Sequence, residues 1–260
     1  MQDSSYNSSM DRLLEIMKRL RKECPWDAKQ THDSLKRFLI EETYEVLDAI
    51  DSKNWDELSG ELGDLLLQIV FHSEIAAENG FFKFDDVVDK ISAKLIARHP
   101  HVFADKPLNT AAEVKQNWEQ TKVENEDRTS LLEGIPNSAP ALLKAQRLQD
   151  KAASVGFDWP ETAPVIEKVE EEFQELVEAY RSKDKDKIKN EYGDLIFAIV
   201  NLGRFLKVDA ENALNLSNKK FIRRFNYIEK KYNNDVSEMK KASLEEMDAH
   251  WDDAKSYEHE

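Results

Sequence analysis

Glu41-Glu42-Thr43-Tyr44-Glu45, followed by Glu61-Leu62-Gly63-Asp64-Leu65, decides the fold, because both stretches occur twice. A displacement of 130 positions lays them on Glu171-Glu172-Phe173-Gln174-Glu175 and Glu191-Tyr192-Gly193-Asp194-Leu195 without a gap. Residues 41–70 and 171–200 share 13 identities in 30 positions. Acidic composition alone would not set Gly63 on Gly193, or Ala49, Ser52 and Lys53 on Ala179, Ser182 and Lys183. Internal repetition of this kind signals one supersecondary unit used twice.

The correspondence continues with small changes of spacing. Lys94-Leu95-Ile96-Ala97-Arg98 answers Lys220-Phe221-Ile222-Arg223-Arg224, and Trp118 with Lys122 answers Trp251 with Lys255. Trp26-Asp27 and Asp158-Trp159 precede the two acidic stretches. The expected organisation is an N-terminal unit over 8–126, a polar joint over 127–137 and a C-terminal unit over 138–258.

Periodicity within each unit is helical. Phe38, Leu39, Val46, Leu47 and Ile50 recur at spacings of three, four and seven, as do Val165, Val169, Phe173, Leu176 and Tyr180. Asp33 is expected to cap the first acidic helix, and Pro164 suits the first turn of its counterpart. Turns at 52–54 and 182–184 lead into helices over 55–79 and 185–206; further helices are expected over 85–97, 111–125, 138–152, 210–231 and 243–256. No stretch alternates with period two, and the chain has only 7 Gly and 7 Pro, too few for a protein of tight turns and sheets. The expected fold is all-α, a tandem repeat of two helical bundles.

Composition narrows the function. The chain has 260 residues, 40% of them hydrophobic, enough to bury a core. Its net charge of −15 repels phosphate backbones and argues against nucleic acid as a partner. The longest apolar run, 65–71, falls far short of a membrane span, and residues 1–5 show no basic-then-apolar leader. With Cys24 as the only cysteine there is neither a disulfide framework nor a multi-cysteine zinc site. The expectation is a cytoplasmic protein with no membrane partner.

The acidic residues read as a metal site. Glu42 and Glu45 share one helix face, Glu61 and Asp64 repeat the spacing on the next helix, and a short turn makes the two helices antiparallel neighbours. The second unit offers Glu172, Glu175, Glu191 and Asp194 in the same way. Residues 61–71 are apolar on nearly every side, so that helix is expected to be buried, and its carboxylates with it. Two like charges about 4 Å apart at an effective dielectric of about 20 repel by roughly 4 kcal/mol, so a quartet needs protons, basic partners or a divalent cation. All-oxygen ligands suit Mg²⁺, with Mn²⁺ as the alternative. The Glu-x-x-His of di-iron bundles is absent, and His72 and His99 read as structural or surface residues. Mg²⁺ on carboxylates commonly serves a polyphosphate, which then needs basic side chains. Lys220, Arg223 and Arg224 share a helix face, whereas Ala97 stands opposite Arg223 in the first unit; Lys168, Lys187 and Lys189 lie near the second acidic set.

Glu-Glu-x-x-Glu followed by Glu-x-x-Asp, duplicated in an acidic helical chain, resembles the MazG-type nucleoside triphosphate pyrophosphohydrolases. So do Cys24-Pro25-Trp26-Asp27, Arg98-His99-Pro100-His101-Val102-Phe103, Gly156-Phe157-Asp158-Trp159 and Lys220-Phe221-Ile222-Arg223-Arg224. The resemblance implies a homodimer that hydrolyses NTP or dNTP to the monophosphate and pyrophosphate with Mg²⁺, chiefly in the second unit. It carries metal ligation to Glu172, Glu175, Glu191 and Asp194, with Glu42, Glu45, Glu61 and Asp64 as the first unit's set. It carries nucleotide contacts to Lys168, Glu172, Lys187, Lys189, Asn190, Lys220, Arg223, Arg224 and Trp251. With no Ser, Cys or His nucleophile indicated, water is the expected attacking group. Glu171 or a neighbouring ligand such as Glu172 or Glu175 would take the proton, while Lys220 and Arg224 stabilise phosphate charge. The competing reading is a metal-stabilised, non-catalytic helical module that docks a regulatory protein such as a small GTPase.

Overall fold

The computed structural model describes residues 8–104, 110, 113–114 and 130–256. Every regular element among them is helical, and none is long and apolar enough to cross a membrane. The expected pair Trp118 and Lys122, most of the helix expected over 111–125, and the start of the expected joint at 127–129 lie outside the described residues. The chain divides into two compact units, Met1–Val114 and Lys115–Glu260.

In the first unit, α1 spans Ser9–Glu23, α2 His32–Ser52, α3 Trp55–Glu78, α4 Phe84–Arg98 and α5 Pro100–Phe103, with a 3-10 turn at Asp27–Lys29. Neither α1 nor α5 was expected from the acidic repeat. The Ser8 hydroxyl accepts from the Asp11 N–H, and Leu13, Leu14 and Met17 turn one stripe of α1 onto the core. Thr31, not Asp33, caps α2: its hydroxyl accepts from the Ser34 N–H while the Ser34 hydroxyl accepts from the Thr31 N–H. This capping box satisfies two otherwise orphaned donors, an advantage a single Asp cap lacks. Asp33 instead sits in the first turn, ion-paired with Lys36, where its charge still favours the helix N-terminus.

The turn that reverses the chain is the same in both units. Lys53 takes the left-handed conformation at φ 55° and Asn54 caps α3 through the Glu57 N–H; α2 and α3 then pack antiparallel. In the second unit Lys183 at φ 61° and Asp184 do this for α7 (Thr162–Ser182) and α8 (Lys185–Phe205). Both first helices have 21 residues, so the 130-residue register holds in three dimensions from the start of α2 and α7 through the start of α3 and α8. Around this pair stand α6 (Ala141–Ser154), α9 (Ala210–Lys231), the short α10 (Val236–Met239) and α11 (Leu244–Ser256). α6 packs on α8, and α9 packs on α6, α8 and α11.

The first unit's core gathers Met17, Leu35, Val70, Phe71 and Ile75, flanked by Leu13, Leu14, Phe38, Leu66, Leu67 and Phe84. The all-round burial expected for α3 does not occur. Its neighbours α1, α2 and α4 cover only part of its circumference, leaving Leu62 half exposed and Ile69 exposed. In the second unit Tyr192, Phe197 and Ile199 are likewise uncovered. The carboxylates follow their surroundings: Glu172 is buried, Glu42, Glu61 and Glu191 are half-buried, and Glu45 and Asp64 are exposed.

Candidate active site

Among the described residues, two carboxylate groups have ligand oxygens all within 4.8 Å of one another: Glu42, Glu45 and Glu61, and Glu172, Glu175 and Glu191. Each joins two acids of the first helix to one of the second, as the repeat places them. The fourth expected acid is not in either set. Asp64 acts on Glu42 and Glu61 through its charge, and Asp194 faces a cavity that also touches Glu172.

The two clusters balance their charge differently. In the second unit the Lys168 ammonium lies 2.8 Å from Glu172 and 2.9 Å from Glu171. These two carboxylates hold it charged well above the usual lysine range. Desolvation, then the charges of Glu172 and Glu191, pushes Glu175 up. In the first unit the counterpart of Lys168 is Phe38. There Glu42 is raised by burial and then by Asp64 and Glu45, and Glu61 by burial and then by Glu45 and Asp64. Carboxylates that resist ionising together, presenting only oxygen donors at this separation, fit a hard divalent cation, which would replace the missing positive charge.

Behind Glu172 lies a cavity of about 410 Å³, within the usual range for a small-molecule site. Phe157 and Trp159 stand on its wall with Leu148, Ala152, Val165, Phe197 and Ala198; Lys168, Glu172 and Asp194 give it a charged end. Asp158 is fixed beside the two aromatics by Arg204, whose guanidinium donates to both carboxylate oxygens at 2.8 and 2.5 Å. That pairing holds Asp158 below the usual carboxylate range. Arg204 also donates to the Asn201 side-chain oxygen, and the Gln149 amide donates to the Phe197 carbonyl at 2.8 Å. The buried Lys151 ammonium is taken up by the Leu131 and Glu133 carbonyls, which fixes the segment that carries Leu132 into the wall.

Of the expected nucleotide contacts, only Lys168 and Glu172 line this cavity. Lys187, Lys189 and Asn190 lie exposed in the first turns of α8. On α9, Arg224 lies over the Trp251 ring at 5.4 Å and the Phe221 ring is 5.2 Å from it, while Arg223 and Arg224 line a separate depression. Lys220 belongs to the same helix, one turn before Arg224. Sequence reasoning did not select Gln149, Asp158, Trp159, Asn201 or Arg204 as site residues. Gly156-Phe157-Asp158-Trp159 was the available signal, but Asp158 meets Arg204 across 46 positions.

A repeated pair of antiparallel helices, each pair converging three carboxylates, defines an all-α protein equipped for hard cations. The model of the MazG nucleotide pyrophosphohydrolase domain matches residues 30–103 and 162–228. The "Nucleoside triphosphate pyrophosphohydrolase" of Escherichia coli strain K12 is 46% identical over 259 residues, covering 96% of this chain and 98% of that one. The "Nucleoside triphosphate pyrophosphohydrolase/pyrophosphatase MazG" of Thermotoga maritima is 46% identical over 249 residues, covering 94% and 95%. The "Uncharacterized protein YabN" of Bacillus subtilis is 46% identical over 238 residues, covering 90% of this chain and 49% of its own length. The chain belongs to the MazG nucleotide pyrophosphohydrolase family and is an enzyme of that class.

Proposed function

We propose that the chain hydrolyses nucleoside and deoxynucleoside triphosphates to the monophosphate and pyrophosphate, in the cytoplasm, as part of nucleotide-pool housekeeping. The working site belongs to the unit at 138–258, which the joint at 127–137 connects to the unit at 8–126. The observation that carries this reading is one cavity with an aromatic, apolar body and an end formed by Glu172, Asp194 and Lys168. An apolar slot beside aromatic rings suits a nucleobase, and a carboxylate end suits a cation-bound polyphosphate.

Glu172, Glu175 and Glu191, with Asp194 beside them, would hold Mg²⁺ or Mn²⁺. Such a cation supplies neutralisation of the triphosphate and acidification of the attacking water. The chain's own groups do the rest. Glu171, held by Lys168, accepts the water's proton. Lys220, Arg223 and Arg224 neutralise phosphate oxygens, with Lys187, Lys189 and Asn190 as further contacts and Trp251 as a flat surface. In the first unit Glu42, Glu45, Glu61 and Asp64 form the parallel cation set.

The uncovered apolar faces support a homodimer. Ile50, Leu62 and Ile69 in the first unit and their counterparts Tyr180, Tyr192 and Ile199 in the second are all exposed. A face repeated at matching positions and left uncovered suits a second copy of the chain.

The direct test is product identity with ATP or dGTP and Mg²⁺. Monophosphate with pyrophosphate is expected; diphosphate with inorganic phosphate would overturn the reading.

A further inference from the structure

Because the register between the two central helix pairs is fixed, each cavity residue on α7 and α8 has a defined counterpart on α2 and α3. The acids are kept: Glu42 stands for Glu172 and Asp64 for Asp194. The walls are not. Phe38 replaces Lys168, Gln68 replaces Ala198 and Phe71 replaces Asn201. Phe38 and Phe71 are apolar where the second unit has the Lys168 ammonium and the Asn201 amide that accepts from Arg204, and Gln68 is larger than Ala198. Phe71 is 3% exposed and Gln68 5%. Phe71 is part of the first unit's core with Met17, Leu35, Val70 and Ile75, and Phe38 packs against that core and edge-on to Trp26 at 5.9 Å.

We infer that Phe38, Gln68 and Phe71 fill in the first unit the space that the second unit keeps open for the nucleoside, so that positions 68/198 and 71/201 decide which unit accepts a nucleotide. This rests on the cavity being the nucleoside site, as proposed above. The two units have then diverged in their walls while keeping their acids. The first unit gains the packing of two aromatic rings, and the second keeps a cavity of about 410 Å³. A void of this kind forgoes dispersion contacts in the free protein, and a ligand of the right shape recovers them.

The Ala198→Gln variant of the full chain transplants the first unit's wall into the second at a helical position both residues tolerate. Equilibrium binding of a non-hydrolysable α,β-methylene nucleoside triphosphate, with Mg²⁺ present, is followed by calorimetry. The wild type is expected to bind one analogue per chain. Ala198→Gln is expected to weaken that binding about tenfold or more, the loss of one well-stacked base. Inorganic tripolyphosphate, which has no base, is expected to bind both proteins alike. Two analogues per chain, or a folded Ala198→Gln protein with unchanged affinity, overturns the inference. Parallel weakening of tripolyphosphate also overturns it, since the effect would then lie outside the base slot. Ala198→Met fills the same space without a polar group, and serves if the Gln variant loses its helical circular dichroism. Wild-type protein that binds the analogue once but releases diphosphate and phosphate from ATP would refute the proposed reaction while leaving this inference standing.

Discussion

Replacing Arg204 by Leu removes the tie that holds the Phe157–Trp159 segment on the cavity. Two charge-assisted bonds to Asp158 and two bonds to the Asn201 oxygen disappear. The Arg204 side chain is 15% exposed and that of Asp158 is 25%. A fully buried pair broken on one side costs about 3–5 kcal/mol, and a surface pair about 0–1 kcal/mol. The partly wet geometry places this pair between them, at about 2 kcal/mol. Urea unfolding of wild type, Arg204→Leu, Asp158→Asn and the double variant forms a cycle that isolates the coupling. The sign of its pH dependence follows from Asp158, whose carboxyl is held below its ordinary value in the folded state. Its contribution is complete above the unfolded aspartate value, near 3.9, and is lost as the pH falls through the lower folded-state value. A coupling near zero at pH 7, or one that grows on acidification, would refute this account of the segment.

Three further outcomes are expected. His32 and His72 share a bond between their Nδ1 atoms at 2.8 Å, which requires one ring to be an acceptor, and burial pushes His72 below the usual histidine range. Stability should therefore fall as the pH drops from about 6.5, the unfolded value, toward the lower folded-state value, and His72→Leu should flatten that slope in urea titrations. Lys168→Met strips the ammonium from Glu171 and Glu172; the apo protein should lose about 1 kcal/mol in urea unfolding, with Mg²⁺ restoring most of it. Unchanged apo stability would contradict the role given to Lys168. Gly193 lies inside α8 with open space where a Cβ would stand. Gly193→Ala should therefore stabilise an isolated chain by up to about 1 kcal/mol. Sedimentation at graded concentrations should show weaker self-association if a second copy covers that surface.

The repeat made most of this architecture legible. One 130-residue displacement sufficed to place both turns and both pairs of acidic helices, because each rests on local sequence: spacing along a helix, a cap and a left-handed turn. Of each expected quartet of acids, three come within reach of one another. α1 was not legible, since its apolar stripe of Leu13, Leu14 and Met17 is short and gains meaning only against Val70 and Phe71. The burial of α3 was misjudged for a related reason. An apolar circumference is buried only where neighbours pack on it, and among the described residues α1, α2 and α4 cover only part of α3. The cavity was the least legible part. Its walls come from α6, the 157–159 segment, α7 and α8, and the pairing of Asp158 with Arg204 has no local signature. Comparing the two copies in three dimensions is what gives Phe38, Gln68 and Phe71 their meaning.

The proposed reaction needs Glu172, Glu175 and Glu191 to act together on a divalent cation. Glu175→Gln tests it most directly, since it keeps the side chain's shape and removes its charge. Steady-state release of pyrophosphate from ATP with saturating Mg²⁺ should fall about a hundredfold or more, because an inner ligand matters at least as much as the outer-shell partners worth about 10–100-fold. Helical circular dichroism should be unchanged. A folded Glu175→Gln protein that releases pyrophosphate at the wild-type rate would contradict the account.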